Sequence, residues 1–234
     1  MKTAIVTGAS SGMGQSISKT LLKLGYKVYG LGRVYKDKIL DDHFFPIVCD
    51  VTETTALCEK IKEIKNEERI YILVNNAGVG YFGPHEELNA QKIHEMVVTN
   101  LEVPMIISQL LLRDLKKNDG FIINISSTAA KKSSTYGCAY AATKAALTHF
   151  SNSLFDETRK YGVKVVSIHP DITKTNFYRN ANFKESEIPE CYITPAEIAA
   201  TIEMVLSQRE GLVFTDITLK PQKHMIQKVM KHKK

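Results

Sequence analysis

The chain has 234 residues, 44% hydrophobic and 24% charged, which suits one α/β domain with a full core. Its four cysteines, Cys49, Cys58, Cys138 and Cys191, form no CxxC pair and no zinc-like spacing with histidine; this argues against a metal or disulfide framework and predicts reduced thiols in a cytoplasmic protein. Much of the net charge of +6 lies in the last dozen residues, so it points to a solvated helix or frayed basic tail over 223–234 rather than to nucleic acid, and no signal-like or membrane-spanning run is read.

Apolar strands alternate with amphipathic helices, the pattern of a parallel sheet covered on both faces. The predicted order is strand 3–7, helix 12–24, strand 27–31, strand 44–49, helix 54–66 and the buried strand 71–74. Helices over 89–100 and 103–117, strand 121–125 and a long helix 140–161 follow. Strand 163–169 stops at Pro170. An irregular stretch to Thr194, a helix 195–207 and a strand 212–219 complete the domain, expected to span 1–222.

The first strand runs into Thr7-Gly8-Ala9-Ser10-Ser11-Gly12-Met13-Gly14. Glycines permit a tight strand-to-helix turn and close approach of a ligand, and the helix N-terminus offers free N–H groups and a favourable dipole, so a dinucleotide pyrophosphate fits there; a plain turn would have similar glycines. Gly8 to Gly12 also matches GxSxG, the nucleophile elbow of serine hydrolases. That reading is rejected, because an elbow normally follows several pocket-building strands and this one follows the first. The second strand ends in Leu31-Gly32-Arg33 with no carboxylate to hold a ribose diol, and an arginine suits a 2′-phosphate, which favours NADP(H) over NAD(H). Asp50 and Val51 stand after the third strand, where the carboxylate either accepts from an adenine amino group or caps the next helix. Asn75-Asn76-Ala77-Gly78 closes the fourth strand, as a wall for adenosine or as an Asn-Gly turn.

The stretch 120–144 holds the candidate chemistry. Strand 121–125 delivers Ser126 and Ser127, and Tyr140 lies one helical turn before Lys144, a cation that lowers a neighbouring phenol pKa. A buried strand followed by a surface helix would also fit those residues taken alone.

Together these motifs resemble the short-chain dehydrogenase/reductase family over residues 3 to about 175. TGxxxGxG is met by Thr7, Gly8, Gly12 and Gly14, NNAG by Asn75 to Gly78, and YxxxK by Tyr140 to Lys144. The resemblance implies a single-domain, Rossmann-type doubly wound parallel sheet of about seven strands, with helices on both faces. It assigns the catalytic serine to Ser127, thirteen residues before Tyr140, and the helix-bending asparagine to Asn100. In the implied mechanism Ser127 holds the substrate oxygen, Tyr140 moves its proton, Lys144 lowers the phenol pKa and binds the nicotinamide ribose, and Asn100 maintains a water relay. The implied cofactor set is Gly8, Ser10, Ser11, Gly12, Met13, Gly14, Arg33, Asp50, Val51, Asn76, Ala77, Gly78, Tyr140, Lys144, Pro170, Thr173 and Thr175. After Pro170 the chain departs from the family, with Asp171 for glycine and Thr173 at the aliphatic position. Residues 176–193 take the place of a mobile substrate loop, in which Phe177, Tyr178, Phe183 and Ile188 are expected to close over an apolar or aromatic carbonyl compound. Tyr81, Phe82, Thr128 and Tyr136 are the further substrate contacts. A small-molecule substrate and a homodimer or homotetramer are expected, without membrane or nucleic-acid partners. The second reading is a dinucleotide-binding regulatory protein with little turnover.

Overall fold

Buried apolar strands set the architecture. In the computed structural model, which describes residues 1–37 and 39–228, strand β1 (Thr3–Thr7) is buried at all five positions, as a strand covered on both faces must be. Around it stand β2 (Lys27–Gly32), β3 (Phe44–Val48), β4 (Ile70–Asn75), β5 (Phe121–Ile125), β6 (Lys164–Pro170) and β8 (Asp216–Leu219). The seven form one parallel sheet in the order β3-β2-β1-β4-β5-β6-β8. The order reverses between β1 and β4, and at such a switch point the carboxyl ends of the strands open a crevice for a ligand.

Helices cover both faces. On one, α1 (Gly12–Lys23) and α6 (Pro195–Leu206) bury Ile17, Leu21, Ile198 and Ile202 against the strands. On the other, α2 (Thr54–Glu67), α4 (Val103–Lys117) and α5 (Cys138–Thr158) bury Leu57, Ile61, Ile107, Leu111 and Leu154. Each such side chain contributes roughly 1.5–3 kcal/mol by leaving water.

Three expectations are corrected. The helices predicted over 89–100 and 103–117 are one continuous helix: α3 (Ala90–Val97) runs through a wide π turn, Val98–Glu102, into α4. Pro104 has no N–H for the Asn100 carbonyl, so the i→i−4 ladder fails there, and the Val103 N–H reaches back five residues to Val98. This 28-residue helix is apolar enough by composition to cross a membrane, contrary to the sequence reading. Its apolar stripe, Val103, Ile107, Leu111 and Leu115, is spent on the core. Finally, 223–228 is no solvated helix or frayed end. Ile226–Lys228 forms β9, antiparallel to β7 (Phe183–Glu185) in the expected substrate loop, and the Lys223 N–H bonds the Glu190 carbonyl at 2.8 Å; residues 229–234 lie outside the described residues. Alternation at 226–228 is too short to read as a strand without its partner.

Candidate active site

At the β1–α1 turn, backbone packing does the shaping. A Cβ on Gly14 would stand 2.2 Å from the Gly8 carbonyl oxygen, so only glycine lets the helix start this close to the strand. Gly12 takes φ +54 against Thr175, a left-handed conformation. The turn is tied to the end of β4: Thr7 Oγ1 accepts from the N–H groups of Asn76 and Ala77 at 3.0 Å each, and Asn76 Nδ2 donates to the carbonyls of Thr7 at 2.9 Å and Gly8 at 3.2 Å. The NNAG segment therefore braces the glycine turn. At the helix start Ser11 makes no side-chain cap and no acidic residue sits in the first turn, so among the described residues no side chain caps its N–H groups.

A cleft runs from this turn across the carboxyl ends of the strands, lined by Ser10 to Met13, Gly32, Arg33, Asp50, Val51 and Asn76 to Val79. Asn76 Oδ1 is buried and has no hydrogen-bond partner, although the residue lines both this cleft and the next, which leaves an acceptor for a hydroxyl-bearing ligand. Asp50 Oδ1 is taken by Thr52, accepting from its N–H at 3.0 Å and its hydroxyl at 2.8 Å. It thus organises the turn before α2 while still lining the cleft. Arg33 is exposed at the end of β2 and pairs with no carboxylate among the described residues. Among the described residues no histidine lines either cleft, which leaves Ser10 without the base an elbow serine needs.

The second cleft continues the first and holds Ser126, Ser127, Tyr140, Lys144, Pro170, Asp171, Thr173, Thr175, Phe177 and Tyr178. The β5 end and the first turns of α5 bring Ser127 and Tyr140 into hydrogen-bond contact. Ser127 Oγ also accepts from the Ala129 N–H at 3.1 Å, which fixes its rotamer by capping the short turn Thr128–Lys131. Lys144 Nζ donates to the Ile125 carbonyl at 2.8 Å. Asn100 is 0% exposed in the π turn; its Oδ1 accepts from the Val79 N–H at 2.9 Å, and its Nδ2 donates to the Val79 carbonyl at 2.9 Å and to Thr143 at 3.1 Å. A Cβ on Gly78 would make ordinary contact with Asn100 Oδ1 at 3.4 Å and Lys144 Nζ at 3.6 Å, so the last residue of NNAG stands directly beside both.

The electrostatics differ from the simple expectation. Burial pushes the Tyr140 phenol up to about 12, with the Ser127 hydrogen bond pulling the other way, and burial draws Lys144 down to about 8. The neighbouring cation therefore does not dominate the phenol in the protein alone, because both groups are desolvated together and the lysine Nζ is 6.0 Å from the ring centroid.

These arrangements meet their counterparts in known proteins. The family model for short-chain dehydrogenase matches residues 2–186. The chain belongs to the short-chain dehydrogenase family. Serine 3-dehydrogenase of Agrobacterium fabrum is 33% identical, with 94% of this chain and 93% of that protein covered. Among solved structures, an alcohol dehydrogenase from the archaeon Thermococcus sibiricus complexed with 5-hydroxy-NADP superposes with TM-score 0.86 at 25% identity, covering 96% of this chain and 99% of that one. The closed form of a serine dehydrogenase complexed with NADP+ gives TM-score 0.83 at 25% identity, covering 99% and 100%. As a short-chain dehydrogenase the protein is an oxidoreductase acting on CH–OH/C=O groups. The reading as a regulatory protein without turnover finds no support among these relatives.

Within this short-chain dehydrogenase the expected cofactor residues converge on the two clefts, except that Gly14 serves packing and lines neither. Of the expected substrate residues Phe177 lines both clefts, and Phe82 packs 5.4 Å from the Tyr140 ring and 5.2 Å from Phe183. Tyr81 lies further out, bonded to Glu95 at 2.6 Å. Thr128 is buried in its turn, Tyr136 is 63% exposed and Ile188 40% exposed, and none of the three lines a cleft. Tyr136 takes φ +62, a left-handed conformation, in the turn before α5. Sequence reasoning missed Glu95, Thr99, Asn176 and Arg179 in the first cleft. No local motif marks them; only the fold brings the π-turn helix and the loop after β6 to the same edge.

Proposed function

We propose that the protein transfers hydride between NADP(H) and a carbonyl/alcohol pair, with Tyr140 as the general acid/base. The observation that carries this reading is the meeting of Ser127, Tyr140 and Lys144 in one cleft that continues the first, with Asn100 of the π turn bonded to Val79 and Thr143 beside them. Bound nicotinamide supplies or accepts the hydride. Ser127 holds the substrate oxygen beside the Tyr140 hydroxyl, which donates the proton in reduction and removes it in oxidation. Lys144, charged below about pH 8, provides the nearby positive charge that favours the phenolate as it forms. Asn100 holds the Val79 backbone and Thr143 in place beside that lysine.

Arg33 at the end of β2, with no carboxylate beside it in the strand end, supports NADP(H) over NAD(H). Phe82, Tyr140, Phe177, Tyr178 and Phe183 form a chain of ring contacts with centroids 5.2–6.5 Å apart, and this wall supports an apolar or aromatic ketone, diketone or aldehyde. Burial raises the Tyr178 phenol well above its ordinary value, helped by the nearby carboxylates of Asp171 and Glu185, so it stays a neutral part of that wall. The test is oxidation of NADPH and of NADH with a panel of diketones, quinones and aromatic aldehydes, beside oxidation of serine with NADP+. Turnover with the aromatic panel and a lower KM for NADPH than NADH is expected. Turnover confined to serine would overturn the substrate class, and none with any compound would overturn the reaction.

A further inference from the structure

Behind Ser127, on the side away from the clefts, a closed set of polar contacts has no part in the chemistry above. His169, 0% exposed at the end of β6, places Nδ1 3.1 Å from the Ser127 carbonyl oxygen. A carbonyl can only accept, so this nitrogen carries a proton. Nε2 lies 3.0 Å from Asp216 Oδ2 on the neighbouring β8, without hydrogen-bond alignment. Lys131 forms an ion pair with Asp216 and donates to Thr218 Oγ1 at 2.7 Å. Lys131 is itself the last residue of the short turn that Ser127 caps, and the Ala130 N–H in that turn donates to the same Ser127 carbonyl at 3.0 Å. The contacts make a ring: Ser127, its turn, Lys131, Asp216, His169 and back to Ser127. A buried histidine is costly unless its nitrogens are used, and here one is used on the backbone of the residue that must hold the substrate oxygen.

We propose that His169 is a positioning residue for Ser127: its Nδ1–H clamps the Ser127 carbonyl, while the Lys131–Asp216 ion pair closes over the other edge of the ring. The hydroxyl of Ser127 then points at Tyr140 because its backbone is tied from both sides. This rests on the hydride-transfer reading for its effect on rate, since a misplaced oxygen-holding group costs turnover out of proportion to the displacement.

The test separates position from packing. The Asn amide nitrogen reaches about as far as ring Nδ1, whereas the Gln amide nitrogen reaches as far as Nε2. His169→Asn should keep kcat within about threefold of the parent, and His169→Gln should lower kcat at least tenfold, both with the KM for NADPH unchanged. Equal loss in the two variants, or a Gln variant indistinguishable from the parent, overturns the proposal. Should His169→Gln fail to fold, His169→Leu, which keeps the bulk and drops the donor, should lower kcat at least tenfold at constant KM for NADPH, and an unchanged kcat there overturns it as well. Independently of turnover, the 15N spectrum of the histidine ring should show the proton on Nδ1; a ring protonated on Nε2 alone refutes the clamp. The spectrum reads the clamp even if no carbonyl compound is turned over, so failure of the reaction class and failure of the clamp are told apart.

Discussion

The two ends of the cleft are built from different materials. At the β1–α1 end the surface is backbone: glycines, the open first turn of α1 and the Thr7–Asn76 brace, with Arg33 as a charged side chain at the rim. At the α5 end it is the buried side chains of Tyr140 and Lys144, each at most 7% exposed, with Asn100 fully buried beside them. The first end works by leaving room and donors; the second works by desolvating ionisable groups and holding them with hydrogen bonds. Substitutions should therefore affect binding at one end and rate at the other.

The largest effect expected is on rate. Tyr140→Phe removes only the hydroxyl, so the fold and NADPH binding should persist while turnover falls by about 10²–10⁴. Retained turnover, measured as NADPH consumption, would remove Tyr140 from the proton transfer. Next comes the backbone end. Gly14→Ala sets a methyl group 2.2 Å from a carbonyl oxygen, and relieving it displaces the helix start, at a cost of about 1–3 kcal/mol. Its signature should be a ten- to hundredfold weaker NADPH affinity by fluorescence quenching, with kcat at saturation changed much less. If kcat falls instead and affinity holds, the division between the two ends is wrong.

Arg33→Ala should weaken NADPH binding by about tenfold or more, the scale of a charged hydrogen bond, and leave NADH affinity within a factor of two. Equal losses for both dinucleotides would show that Arg33 does not read the 2′-phosphate. The α5 end should also carry a pH signature in the cofactor-free protein. Lys144 falls to about 8 from 10.5, so between those values the unfolded chain binds the extra proton and stability rises with pH; Tyr140 rises to about 12 from 10.0, so above pH 10 the unfolded chain has lost the proton first and stability falls. Melting temperatures should thus move in favour of the parent over Lys144→Met from pH 8 to 10. A constant difference over that interval would mean that the lysine is not desolvated. The smallest effect belongs to the loop. Gln227→Pro puts a proline with fixed φ at the centre of β9, opposite Lys184 in β7, and by weakening that pairing should raise the carbonyl KM a few-fold with NADPH affinity untouched; a carbonyl KM equal to the parent's would detach β9 from the loop's function.

Some of this design is local in the chain. The glycine spacing, the alternation of apolar strands and helices and the Tyr–Lys pair at one helical turn are short-range patterns, the serine thirteen residues before the tyrosine is what the family resemblance implies, and the fold brings Ser127, Tyr140 and Lys144 to one cleft. The short-range patterns are legible because steric freedom at glycine and the helical period act over a few residues. Even the π turn had a signal, Pro104 four residues after Asn100, although it reads first as a helix break. The rest depended on distance in space. Arg179 and Glu95 reach the cleft only because the loop after β6 and the helix before Asn100 meet there, and β9 exists only by pairing with β7. The pKa values of Tyr140 and Lys144 were the clearest case. Their spacing predicts attraction between a phenolate and an ammonium, but the tertiary structure buries both, and desolvation, which no sequence interval encodes, outweighs the charge of the neighbour.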